Sequence, residues 1–342
     1  MRLIDLDAAR DAIREGFIDG LALFVGAGVS LQSPSNCPSW IDLTSNFIKG
    51  VIAVARLDDR LDLRLLLESL PQFMMAALRR PEHTFQVLID ALGEDVLEGL
   101  ALLRTGDPNL NHILIGGYLW LGGFRAVITT NFDEHLEQTV RLHEQLFGES
   151  PSQLPYRHLR GKVVADNERG ESRLLWSIHG SLSDLSSVVT SVAATGQSLK
   201  PNAIEELRSI LDDCTLLVVG YSGNDEDIIE FLLAPETVGR TKGIIWQVLD
   251  ATQIPPAVER LETAYGEKMI IVQGSADDLF SLTIDPLFIG DIANGLSTWE
   301  AALDALRMQW RVMLVSAMPS NYQTTFSAQF DRAFQLIASG QR

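Results

Sequence analysis

The sequence predicts an α/β protein, a doubly wound, mainly parallel Rossmann-like sheet with an inserted helical lobe and C-terminal helices. Three observations lead there. Short apolar runs without polar alternation recur along the chain, as strands covered on both faces require. Longer helical patterns separate them. Of the 342 residues 46% are apolar and 21% charged, enough for one large core or two smaller ones, which excludes a disordered or fibrous chain.

The elements follow in order. A helical pattern over 7–18 carries Ala8, Ile13 and Phe17 towards one face, and LALFV at 21–25 is the first buried strand. The stretch from about 40 to 122 is helical throughout, including a Leu- and Met-rich segment at 61–78. It is longer than a crossover needs, and we read it as a helical lobe or lid. RAVIT at 125–129 is the second strand, followed by a helix from 133 to about 146. Turn residues enrich 150–200, with LLWSI at 174–178 the third strand. A helix over 202–211 follows a Pro-Asn start that reads as an N-cap. TLLVV at 215–219, GIIWQVL at 243–249 and KMIIV at 268–272 complete the strands. Beyond Trp299, amphipathic segments at 299–315 and 324–338 form a terminal pair whose apolar faces need a partner surface. With no repeat and no low-complexity linker, the division is one main domain over 1–285, with its helical insertion at about 40–122, and a C-terminal assembly segment over 286–342.

Charge and cysteine content narrow the setting. A net charge of −18 repels a phosphate backbone, which argues against direct nucleic-acid binding. Cys37 and Cys214 cannot build a disulfide framework or a four-cysteine zinc site, which suits a reducing cytosol. The most apolar stretch, 113–124, is too short to span a bilayer, and the N-terminus is acidic rather than a signal peptide. The expectation is a cytoplasmic protein with no membrane association and no metal.

Four strands are each followed at once by a chemically pointed loop: GAGVS (26–30), TNFD (130–133), HGS (179–181) and GYSGND (220–225). Ligands bind at the carboxyl ends of the strands of an open parallel sheet, so four such loops on one edge make a site. In GAGVS two glycines and a serine allow a tight turn and the approach of a phosphate. The plain alternative is a strand-to-helix turn with glycine at positive φ. The third glycine of a dinucleotide fingerprint would fall at Leu31, which counts against an ordinary dehydrogenase. In TNFD, Asn131 can donate to and accept from a ligand hydroxyl, while Asp133 or Thr130 either binds or caps the next helix. His179 ends a buried strand with Gly180 keeping the space beside it open, and we read it as a general base. The other histidines (His83, His112, His135, His143, His158) lack ligand spacing and read as surface or packing residues. In GYSGND, Ser222, Asn224 and Asp225 either grip ribose hydroxyls or cap a helix.

Together and in this order, the four loops resemble the sirtuin superfamily over roughly residues 20–275. GAGVS looks like the glycine-rich opening, TNFD like the Thr-x-Asn-x-Asp loop, His179-Gly180 like the catalytic histidine-glycine, and GYSGND like the later Gly-x-Ser loop. Two departures stand beside the match. The paired cysteines of a zinc ribbon are missing, since 180–214 contains only Cys214, and SPSNCPSWIDL stands where deacylases carry Ile-Pro-Asp-Phe-Arg. What remains is similar to the sirtuin-like NAD-hydrolase domains of prokaryotic anti-phage defence systems.

That resemblance implies NAD as substrate, cleaved at the nicotinamide–ribose bond, with depletion of cellular NAD in abortive infection. It implies Asn131, His179 and Asp133 as catalytic residues. Gly26, Ala27, Gly28 and Ser30 would then lie along the diphosphate, with Thr130, Gly220, Ser222, Asn224 and Asp225 also holding the nucleotide. It further implies control by assembly, as a homo-oligomer or with a partner such as a translocase-type ATPase or an Argonaute-like trigger. Two other readings stay open: a module that senses NAD or ADP-ribose without cleaving it, and a zinc-less protein deacylase.

Overall fold

Eight strands build the sheet: β1 (Arg2–Ile4), β2 (Leu21–Val25), β3 (Phe124–Thr129), β4 (Tyr156–Arg160), β5 (Arg173–Ser177), β6 (Thr215–Val219), β7 (Gly243–Val248) and β8 (Met269–Gln273). They lie in the order β1-β8-β7-β6-β2-β3-β5-β4, and every neighbouring pair is parallel. This is a computed structural model that describes residues 2–39, 42–43, 45–46, 100, 103–104, 106–147, 149–150, 152–162, 171–188 and 199–284.

The strands alternate their side chains between two buried faces. Leu21, Leu23 and Val25 join Val127, Leu217 and Ile245 on one face, beneath α1 (Leu6–Asp19), α2 (Leu110–Leu121), α3 (His135–Phe147) and the turn at 276–280. Ala22 and Phe24 join Ile128, Trp176, Val218 and Trp246 on the other, beneath α4 (Pro201–Leu211), α5 (Glu226–Leu233) and α7 (Pro256–Tyr265); α6 (Pro235–Arg240) follows α5. Such two-sided cover is why these strands read as continuous apolar runs. From β2 the chain moves outward to β3, β4 and β5, then returns to β6 on the other side of β2. The switch point of the doubly wound sheet is therefore at β2, where a ligand crevice is expected.

All six predicted strands are present within a residue or two. The sequence missed β1 and β4, both at sheet edges. β4 is YRHLR with one fully buried residue, and an edge strand needs no apolar run. Three local readings are corrected. In α1 the buried residues are Ala9, Ile13 and Gly16, so Ala8 faces out, while Phe17 stacks on Tyr118 with ring centroids 4.4 Å apart. α4 begins at Pro201 with Lys200 as its N-cap and no side-chain capping bond, so proline at N1 starts the helix and Asn202 does not cap it. The 110–121 end of the predicted lobe is a crossover helix buried on the sheet, closed at Gly122 with φ +78°. Residues 47–99, including the predicted helix at 61–78, and the helices at 299–315 and 324–338 lie outside the described residues. No helix among the described residues is long and apolar enough to cross a membrane.

Candidate active site

The parallel sheet brings all four loops to its carboxyl edge, and bare backbone joins the first to the fourth. The amide of Gly26 donates to Val219 O at 3.1 Å and that of Gly28 to Gly220 O at 2.9 Å. A Cβ on Gly28 would lie 2.6 Å from the Cα of Gly220, and one on Gly26 would lie 2.6 Å from its carbonyl oxygen. Gly26 and Gly28 are therefore needed for close approach rather than for positive φ; the left-handed residue is Gly220, at φ +64°. The amides of Val29 and Ser30 close the turn onto Gly26 and Ala27, whose own amide enters none of these bonds.

A cavity of about 280 Å³ opens between the loops, near the lower end of the ~300–1,000 Å³ usual for small-molecule sites. Of the predicted site residues, Ala27, Gly28, Ser30, Thr130, Asn131, Asp133, His179, Gly220, Ser222, Asn224 and Asp225 line it. Gly26 lies behind, against Gly220 and Tyr221. No motif pointed to the apolar wall, to which Leu31, Cys37, Leu103 and Phe132 contribute. Among the described residues lining the cavity there is no lysine or arginine.

Ser30 is the hub of its floor. Its hydroxyl donates to Asp133 Oδ2 at 3.0 Å and accepts from Asn131 Nδ2 at 3.1 Å. The third partner is His112 Nε2 at 2.9 Å. The backbone amide of Asn109 donates to His112 Nδ1 at 3.2 Å, half of the capping box that starts α2, so the neutral ring carries its proton on Nε2 and donates to Ser30. Burial holds the His112 pKa well below the usual histidine range, and nearby His135 adds to this. All hydrogen-bonding capacity of the Ser30 hydroxyl is thus used, and Asn131 is oriented by its bond to Ser30 and by a side-chain hydrogen bond to the Asp133 carboxyl. His112 is fully buried on this network, not a surface or mere packing residue. Its spacing of three from Asn109, a capping-box pattern, was the signal in the sequence.

Asp133 does two things at once. Oδ1 accepts from the amide of His135, opening α3, while Oδ2 takes the Ser30 proton. Burial pushes its carboxyl up, against the opposing effects of His135 and the Ser30 hydrogen bond. Cys37 Sγ lies 3.4 Å from His135 Nε2, but burial and the Asp133 charge push the thiol up to about 12, so it stays protonated and is no nucleophile.

His179 faces the cavity from the third loop, with Nε2 3.8 Å from Asp225 Oδ1 of the fourth. Asp225 stands at the N-cap position of α5 but makes no capping bond through its side chain. Gly180 has φ +92°, and a Cβ there would lie 2.6 Å from the Val188 amide, so glycine is required by backbone packing at 187–188 as well as by the turn. Ser222 and Asn224 are exposed on the rim.

Residues 125–266 match the family model described as a SIR2-like domain. The match takes in the TNFD, HGS and GYSGND loops and begins beyond GAGVS. Solved structures similar to this chain include a Sir2 homolog–NAD complex, with 16% identity, 84% of this chain and 95% of that chain covered, and a TM-score of 0.43. A Sir2–p53 peptide–NAD+ complex has 13% identity, with 81% and 98% covered and a TM-score of 0.42. Sir2 bound to acetylated peptide has 14% identity, with 81% and 97% covered and a TM-score of 0.39. No curated protein matches the sequence. Among the described residues, no group of three or more His, Cys, Asp or Glu is placed to hold a metal.

Proposed function

We propose that the protein is an NAD glycohydrolase, releasing nicotinamide and ADP-ribose, and that it serves as the NAD-depleting effector of a prokaryotic anti-phage defence system acting by abortive infection. One observation carries the reading: a cavity, part of whose lining falls in the stretch that matches the SIR2-like model, on which an amide, an imidazole and two carboxylates converge, with no lysine or arginine among its described lining residues. Cleaving the nicotinamide–ribose bond sends the bonding pair to the nicotinamide nitrogen, which leaves neutral, and positive charge develops on the ribose. A lining of carboxylate and carbonyl oxygens suits that charge.

In this reading Asn131 orients the ribose or the attacking water. His179 takes the proton as the water oxygen bonds to C1′ and passes it to solvent, with Asp225 facing the imidazole as it gains charge. Asp133 holds the nicotinamide ribose and, with His112, fixes Ser30. Ala27, Gly28, Ser30 and Thr130 lie along the diphosphate side, and Gly220, Ser222 and Asn224 along the adenosine ribose. The catalytic unit is 1–285, with 286–342 an assembly surface. Because constitutive NAD hydrolysis would kill the host, activity is controlled by homo-oligomerisation or by a partner protein in the cytoplasm, without direct nucleic-acid or membrane binding.

Turnover in ¹⁸O-labelled water tests the reaction type. Label in the ADP-ribose supports hydrolysis, whereas nicotinamide released with no labelled ADP-ribose sinks it. A second reading, an NAD or ADP-ribose sensor, is favoured by the cavity alone and is separated by saturable binding without product.

A further inference from the structure

A second buried polar cluster lies outside the cavity and ties down the loop that carries His179. Glu137, in the first turn of α3, has a side chain only 6% exposed. Its Oε1 accepts from Ser181 Oγ at 2.8 Å and Ser183 Oγ at 3.1 Å. His158 Nδ1, from edge strand β4, lies 3.2 Å from the same oxygen. Arg160 Nη2 of β4 reaches Oε2 at 3.3 Å, and Arg141 Nη2, one turn along α3, lies 3.6 Å from it. The other nitrogen of His158, Nε2, is 2.9 Å from Ser177 Oγ. Ser177 precedes His179 by two residues, and Ser181 and Ser183 follow it by two and four. The loop is thus held on both sides of His179 by one carboxylate, directly on one side and through His158 on the other.

The Ser177–His158–Glu137 chain has the connectivity of a nucleophile–base–orienter relay. Ser177 is only 3% exposed and its strand, β5, is paired on both sides, with β3 and β4, so no substrate atom reaches its hydroxyl. The cluster's effect is mechanical. Between its two anchors lie Ile178, His179 and Gly180; the Ile178 amide donates to Thr129 O and the Gly180 amide to Ser177 O, each at 2.9 Å, and Gly180 is fixed by contact with the 187–188 backbone.

We propose that Glu137 is a positioning residue, holding the 177–183 turn so that the His179 imidazole faces Asp225 across the cavity. The kinetic part rests on the NAD-hydrolase reading; the structural part does not. Histidine Cε1–Hε1 NMR correlations of ¹³C-labelled protein give a direct readout. Glu137→Gln, which keeps the size but removes the charge, should displace the His179 signal and leave those of His112 and His143 in place. Ser181→Ala, removing the 2.8 Å tie alone, should displace it in the same direction if Glu137→Gln folds poorly. An unmoved His179 signal in a folded variant overturns the proposal. Where NAD turnover is measured, Glu137→Gln should lower kcat up to about 10²-fold with KM changed by no more than about twofold. In a His179→Ala background it should have no further effect; additive losses would mark a merely structural role and also overturn the proposal. Absence of turnover in the wild type would instead count against the hydrolase reading, leaving the NMR result to decide the role of Glu137.

Discussion

Asp133 and Glu137 lie four residues apart around the start of α3, each serving a different loop of the sheet's carboxyl edge. Asp133 meets a hydroxyl and a backbone amide and lines the cavity; its carboxyl is pushed up by burial. Burial would also raise Glu137, but hydrogen bonds from His158 and Ser181, the nearness of that imidazole and the Arg160 charge outweigh it and hold its carboxyl at about 2. The contrast separates two uses of a buried acid. Beside neutral donors a carboxylate stays able to change protonation with whatever enters the cavity. Among an imidazole and guanidinium groups it is a fixed anion, suited to holding backbone in place.

The largest effect that tests this division is expected on the cavity side. His179→Ala should reduce nicotinamide release about 10²–10⁴-fold while the melting temperature stays close to wild type, as product chromatography and a thermal melt would show. A comparable loss of stability would mean that His179 belongs with the scaffold. Glu137→Ala should do the reverse in stability, costing roughly 3 kcal/mol because Ser181, Ser183 and His158 lose their shared acceptor, and a urea titration checks it.

The pH dependence sharpens the comparison. Because the folded-state pKa of Glu137 is depressed from 4.5 to about 2, its stabilisation is fully present above about 4.5 and fades as the pH falls towards 2. Urea midpoints taken between pH 6 and pH 3 should fall more steeply for the wild type than for Glu137→Gln; parallel curves would contradict the fixed-anion assignment. The smallest effect is expected for Asp133→Asn. A single amide oxygen can accept from only one of the Ser30 hydroxyl and the His135 amide, so this substitution should cost about 1–2 kcal/mol in the same urea titration, less than Glu137→Ala.

Much of the frame was legible because β2, β3, β5, β6, β7 and β8 are covered on both faces and so carry unbroken apolar runs. β4 hid because YRHLR at an edge is polar, yet it supplies His158 and Arg160 to the Glu137 cluster. The four loops could be found by their position after strands. The partners beneath them could not, because the contacts of Ser30 with His112 and of Glu137 with Ser181 join residues 82 and 44 positions apart. Of the two readings of the GAGVS glycines, positive φ is the one that fails: the constraint on both is the Gly220 backbone, which only the folded sheet brings against them.

The central claim meets its most direct test in purified protein incubated with NAD at several protein concentrations, with products separated by chromatography beside Asn131→Ala and His179→Ala. The account predicts nicotinamide and ADP-ribose in equal amounts from the wild type and neither from the variants, with a rate per molecule that climbs with concentration if assembly activates. Undiminished product from either variant would contradict it, whereas saturable NAD binding with no product at any concentration would leave a sensor or an enzyme that needs its partner protein.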